Sequence, residues 1–203
     1  MPDEVFNFRW SVDTAGYEIY KRQGVRSIIN SGGPEARMRG RGGDLRWYNP
    51  LKDEPGLFRQ FAATCVGRSD VLRFAGQFGP LWRQNGEEGV TCTIVAAAEM
   101  RAVTKWIDSG DWRGAATIFN EHIKITFRPR ISTPELTGRP TLQCTMGTLV
   151  EALWFQLALQ LTGQTEFRVC KNCPTPFEVG TGAHTKRKLF CSDRCRVAWH
   201  RSE

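Results

Sequence analysis

Four of the seven cysteines fall in one short stretch, paired as Cys170-Lys171-Asn172-Cys173 and Cys191-Ser192-Asp193-Arg194-Cys195. Two residues lie inside the first pair, three inside the second, and seventeen between the pairs. A Cys-x-x-Cys turn can aim two thiolates at one point about 2.3 Å from a metal ion, and two such pairs close a tetrahedron suited to zinc. The spacing predicts one structural Zn2+ held by Cys170, Cys173, Cys191 and Cys195. Two disulfides would use the same residues, but the remaining three cysteines show no pairing pattern, and a redox Cys-x-x-Cys leaves the second pair unexplained. Four thiolates complete the shell, so His184 and His200 are assigned to an exposed basic face rather than to the metal.

The elements that must hold these ligands can be read around them. Ser192 suits a helix N-cap and Asp193 the positive end of the helix dipole, with Arg194, Val197, Trp199 and Arg201 continuing the helix. Between the pairs, Pro176 to Val179 and Lys188 to Phe190 read as short strands joined by the turn-prone Gly180-Thr181-Gly182-Ala183. Knuckle, hairpin and helix, in that order, make a treble-clef zinc finger.

Cys170-x-x-Cys173-x-x-x-Phe177, a basic patch, and Phe190-Cys191-Ser192-x-x-Cys195-Arg196 together resemble small bacterial treble-clef fingers. These include the CGNR-type fingers that follow an ABATE-type helical domain in a group of bacterial stress-response transcription regulators. The stretch is also similar to the short finger of a DNA gyrase inhibitor. After Cys195 the chain reads Arg196-Val197-Ala198 where the CGNR signature has Gly-Asn-Arg, and the resemblance spans about forty residues. The first resemblance implies DNA binding and transcription regulation. The second implies an adaptor or inhibitor docking on an acidic protein, with Phe177, Trp199 and the basic face in contact.

With 203 residues, 40% hydrophobic and 24% charged, the chain is long enough for one core plus a small metal-supported module and is not of disordered composition. Its net charge of +7 favours an anionic partner. Residues 165–203 hold eight Lys/Arg against four Asp/Glu, whereas residues 1–164 hold twenty against seventeen, so the excess is concentrated in the finger. Four thiolates on a divalent ion subtract about two charges there, so surface cations must supply the attraction. No apolar run reaches membrane-spanning length, and the opening Met-Pro-Asp-Glu-Val lacks the features of a secretion signal, so a cytoplasmic protein is expected.

Upstream, Val5 to Val12 alternates apolar and polar residues like a half-buried strand, with Tyr17–Tyr20 and Ser27–Asn30 as candidate partners. Residues 31–46 read as an Arg/Gly loop, either solvated or closing on phosphates. Helices are expected around Leu57–Ala62, from a Ser69 cap to Phe78, over Thr93–Ile107, and from Gly110 or Asp111 to His122, with a turn at Asp108–Asp111. Ile123–Arg128 and Thr141–Cys144 suggest a hairpin. Leu149–Thr162 is apolar nearly all round and should be the central buried helix, ended by Gly163. Glu151 on it is expected to be a hydrogen-bonded structural carboxylate.

The predicted fold class is thus α+β, mainly α. A helical domain with a small antiparallel β part (residues 1–164) binds a ligand or partner, and a treble-clef finger follows (165–203). His122, His184 and His200 have no catalytic companions, and no phosphate-loop, dinucleotide or zincin motif is present. An HNH-type nuclease is the third and weakest reading, because only His184 and His200 are available for it and they lack the expected partners. The function expected is a non-enzymatic, nucleic-acid-binding bacterial regulator, DNA preferred over RNA. Its phosphate contacts are assigned to Lys186, Arg187, Lys188, Arg194, Arg196 and Arg201. The protein-docking adaptor is the alternative.

Overall fold

The computed structural model describes residues 8–26, 34–83, 87–123, 125–126, 128–132, 141–173, 176–179 and 188–202. Its elements make an α+β chain dominated by helices, as the residue pattern predicts. The β part begins with β1 (Trp10–Asp13), β2 (Tyr17–Arg26), β3 (Pro34–Gly40) and β4 (Leu45–Tyr48), and β5 (Glu88–Gly89) joins later. β1 does not pair with β2. It runs antiparallel to β4, while β2 pairs with β3 and β3 with β5. Ser27–Asn30, expected as a further strand, lies outside the described residues.

Much of the stretch read as an Arg/Gly loop is therefore strand. Ala36 and Met38 are buried while Arg37 and Arg39 alternate outward, a period of two that the flanking glycines obscure. The outward arginines are ion-paired, Arg39 with Glu18 at 2.8 Å and Arg37 with Glu87 at 3.6 Å. What remains of the loop closes on Asp13. That carboxylate accepts from the backbone N–H groups of Ala15 (2.9 Å), Gly42 (2.8 Å) and Gly43 (3.0 Å), joining the turn after β1 to the turn before β4. Burial alone would raise the Asp13 pKa, but the backbone donors outweigh it and hold the group below its usual range. The amides of Gly42 and Gly43 thus point at a carboxylate of the chain itself, not toward solvent.

The helices are α1 (Pro50–Asp53), α2 (Leu57–Thr64), α3 (Arg68–Phe78), α4 (Val90–Asp108), α5 (Trp112–His122) and α6 (Leu149–Leu161). The cap of α3 is not Ser69 but Gly67, whose N–H donates to Asp70 Oδ2 at 3.0 Å. The carboxylate three residues in satisfies the N–H of the cap residue and places a negative charge in the first turn. Gly79 ends α3 at φ 87°. Asp111 caps α5 by accepting from the Gly114 N–H at 2.8 Å.

α4 and α6 form the centre of the core. Leu149, Leu153 and Leu157 of α6 are fully buried, each contributing about 2 kcal/mol by removal from water. Glu151 is structural: its Oε2 accepts from the N–H groups of Thr148 (3.0 Å) and Gly147 (2.8 Å), while Thr148 Oγ1 accepts from the Glu151 N–H. The buried Gln156 is also satisfied, donating to the carbonyls of Pro50 (2.9 Å) and Glu54 (3.0 Å). A hairpin precedes α6, but its first strand, β6 (Arg128–Ser132), begins where Ile123–Arg128 was expected to end. β6 pairs with β7 (Thr141–Thr145) in a register that sets Pro129 opposite Cys144. Ile123 instead closes α5, its N–H donating to the Phe119 carbonyl at 2.9 Å. No helix among the described residues is long and apolar enough to cross a membrane.

Candidate metal centre

Gly163, at φ 69°, ends α6, and the chain enters β8 (Glu166–Val169), then β9 (Pro176–Val179) and finally α7 (Asp193–Ser202). β8 and β9 pair antiparallel, so Cys170 and Cys173 occupy the bend between two strands. Pro176–Val179 pairs with β8 rather than with Lys188–Phe190 as expected, and residues 180–187, the turn of the expected hairpin, lie outside the described residues. Lys188–Phe190 is not strand, although the Leu189 carbonyl accepts from the Lys171 N–H at 3.1 Å and so ties the second cysteine pair to the knuckle. The polar–apolar alternation of Glu166-Phe167-Arg168-Val169 was the unread signal for β8.

Ser192 caps α7 as expected, its Oγ accepting from the Cys195 N–H at 3.3 Å. That cap presents Cys191 just before the helix and Cys195 within its first turn. The sulfurs of Cys173 and Cys191 lie 3.7 Å apart, those of Cys191 and Cys195 3.5 Å, and those of Cys195 and Cys173 3.7 Å. All four sulfurs, Cys170 included, lie within 4.8 Å of one another. A tetrahedron with metal–sulfur bonds of about 2.3 Å has an edge of about 3.8 Å. The four cysteines therefore have the dimensions to hold one metal ion, and four sulfurs leave it no open position.

The electrostatics of the group are uneven. Burial opposes a charge on Cys170, but the backbone N–H groups of Cys191, Asn172 and Cys173 outweigh it and bring its pKa down to about 6. Cys191 moves the other way, pushed up to about 12 by burial and then by the surrounding sulfurs of Cys195, Cys173 and Cys170. Ligation requires thiolates, so a cation binding here displaces the proton that Cys191 retains.

A small apolar cluster supports the site, made of Cys170, Phe177 and Val179 with Cys173, Phe190, Cys191 and Cys195 around them. Phe190 also packs against Trp199 of α7, ring centroids 6.2 Å apart. Phe177 is buried and Trp199 half-buried, so these two serve the interior of the finger. Among the described residues of the finger, the exposed aliphatic side chains are Val169 of β8 (65%) and, beside the second cysteine pair, Leu189 and Val197 (44% each).

The predicted phosphate-contacting residues separate by position. Arg194 and Arg201 are exposed and flank Val197 on one face of α7, spaced three and four residues apart, while Cys195 and Trp199 hold the opposite face. Arg196 lies to one side and pairs with Asp193 at 3.1 Å. The Lys188 ammonium stands 5.5 Å over the Phe177 ring. Lys186, Arg187 and His184 lie outside the described residues, and His200 is exposed and not among the four converging ligands. Comparison with protein-family models, curated proteins and solved structures gave no match, so what stands of the family resemblance is the four-cysteine group itself.

Proposed function

We propose that the chain is a zinc-finger nucleic-acid-binding protein, a non-enzymatic regulator of bacterial type. In this reading residues 165–203 bind DNA in preference to RNA, and residues 1–164 form the ligand- or partner-binding domain. One observation carries it: the sulfurs that close the metal group also fix the orientation of α7, leaving Arg194, Val197 and Arg201 facing outward. Zinc is the ion of choice because all four ligands are thiolates at tetrahedral separations. A closed shell gives the ion a structural role and leaves no position for a substrate or water, which supports the non-enzymatic reading. A reducing compartment such as the cytoplasm keeps such thiols available.

Leu189 and Val197, exposed among cations, support a second reading in which the same surface docks on an acidic protein. A single experiment separates the two. Metal content is measured by elemental analysis, and binding to duplex DNA is followed across a salt series with and without stoichiometric zinc. The first reading expects one zinc per chain and a zinc-dependent affinity whose log-log salt slope is about five for six phosphate contacts. Zinc without DNA binding favours the protein-docking reading, and absence of zinc overturns both.

A further inference from the structure

Phe167 lies in β8, three positions ahead of Cys170, yet its ring packs on the helical core rather than in the cluster beneath the cysteines. It meets Phe58 edge-on with ring centroids 5.4 Å apart, and the Arg59 guanidinium stands 5.8 Å from its centroid. The receiving surface is shaped to the ring. Gly56, between α1 and α2, has φ 82°, and a Cβ there would come within 2.5 Å of Phe167 Cε1. Arg59 is itself fixed by Asp108, at 2.9 and 3.3 Å, and by Gln160 Oε1 at 3.1 Å. The Phe58 N–H donates to Gln156 Oε1 at 3.2 Å. A side chain from the finger thus rests on a socket whose walls are hydrogen-bonded to α4 and α6.

We propose that this socket makes Phe167 a positioning residue for the metal centre, coupling occupancy of the four cysteines to the packing of α2. The inference rests on the metal-binding reading of that site. With the ring seated, β8 is fixed and Cys170 at its end is already in place, so a metal ion has less chain freedom to remove when it binds. With the metal gone, the bend between β8 and β9 loses its closure, the ring is held less often in its socket, and α2 loses one of its covers. Coupling of this kind is reciprocal: whatever displaces Phe167 from Gly56 weakens metal binding by the same factor that metal loss weakens the docking. The helical part of the chain would thereby sense the state of the finger.

The test uses the full chain, with zinc affinity read by competition against a chromophoric chelator. Phe167→Ala is expected to weaken zinc roughly tenfold, within the range usual for coupled sites. Phe167→Leu should restore most of the loss. Gly56→Ala attacks the socket without touching the finger and should reproduce it, which an effect confined to the β8–β9 pair would not do. A second measurement needs no variant: amide exchange in α2 should accelerate when zinc is stripped, while α5 stays unchanged. Wild-type zinc binding with affinities of Phe167→Ala and Gly56→Ala within twofold of it, or with α2 exchange insensitive to zinc, overturns the coupling alone. A wild-type chain that binds no zinc overturns the metal reading and the coupling with it.

Discussion

The sulfurs of Cys173 and Cys191 lie 3.7 Å apart although eighteen positions separate them in the chain. Cys173 belongs to the bend between β8 and β9, whereas Cys191 immediately precedes the cap of α7, so a metal ion spanning them joins two elements with few other contacts. Cys191→Ser is expected to drop bound zinc from one per chain to well below that. Acid should act likewise, because burial and the surrounding sulfurs raise the Cys191 pKa and a cation must displace its proton. Zinc retained at a fixed chelator concentration should fall as pH is lowered from 8 to 5, and a flat profile would count against thiolate ligation.

Asp13 offers a test of the β part. Its carboxylate accepts from three turn amides, and Asp13→Asn would replace one acceptor oxygen with an NH2 facing N–H donors. The expected cost is about 1–3 kcal/mol at neutral pH. Because the folded pKa lies below the usual value, this stabilisation is present above about pH 4 and is lost as pH falls through the folded value. Denaturant unfolding of both proteins should converge in acid, and a gap that persists there would contradict the assignment.

Glu88 has the opposite sign. It is buried, accepts from the Trp82 N–H at 2.9 Å and from Thr93 Oγ1 at 3.2 Å, and burial raises its pKa despite these donors. A raised carboxyl favours the folded state most below its unfolded pKa, and stability declines as pH rises through the folded value. Glu88→Gln keeps an acceptor for the backbone donors and places an NH2 beside the Thr93 hydroxyl. Unfolding midpoints of the variant should therefore fall less than those of the wild type as pH rises above about 4.5. A steeper decline in the variant would refute this.

The parts readable from sequence were those whose signal is local. Ligand spacing in the finger, the Ser192 cap, the apolar run of α6 and the Asp111 cap depend on neighbours within a turn or two. Strand pairing does not. That Trp10–Asp13 pairs with Leu45–Tyr48, leaving Tyr17–Arg26 to Pro34–Gly40, is decided by long-range packing that no window of residues displays. The finger hairpin was misassigned for a similar reason. Pro176–Val179 reads as strand from its own residues, but its pairing with β8 is a contact that those residues do not display. Whether an arginine is exposed on a face or held by a carboxylate also waits on tertiary structure, as Arg39 and Glu18 show.

That distinction separates the cations of α7 as well. Arg194 and Arg201 sit on the outward face with Val197 between them, whereas Arg196 is turned aside toward Asp193. A duplex approached by that face meets the first two arginines directly, and recruiting Arg196 would require breaking its pair with Asp193. Each phosphate contact contributes about 0.9 to the log-log salt slope, so Arg194→Ala with Arg201→Ala should lower the slope by about two, and Arg196→Ala alone by clearly less than one. Far-UV circular dichroism and zinc content should be unchanged, because none of the three belongs to the four-cysteine ligand group. Fluorescence anisotropy with a labelled duplex between about 50 and 200 mM salt covers the range in which such contacts alter affinity by orders of magnitude. An equal loss from Arg196→Ala would place DNA on the flank of the helix, and unchanged slopes in all variants would move binding away from α7.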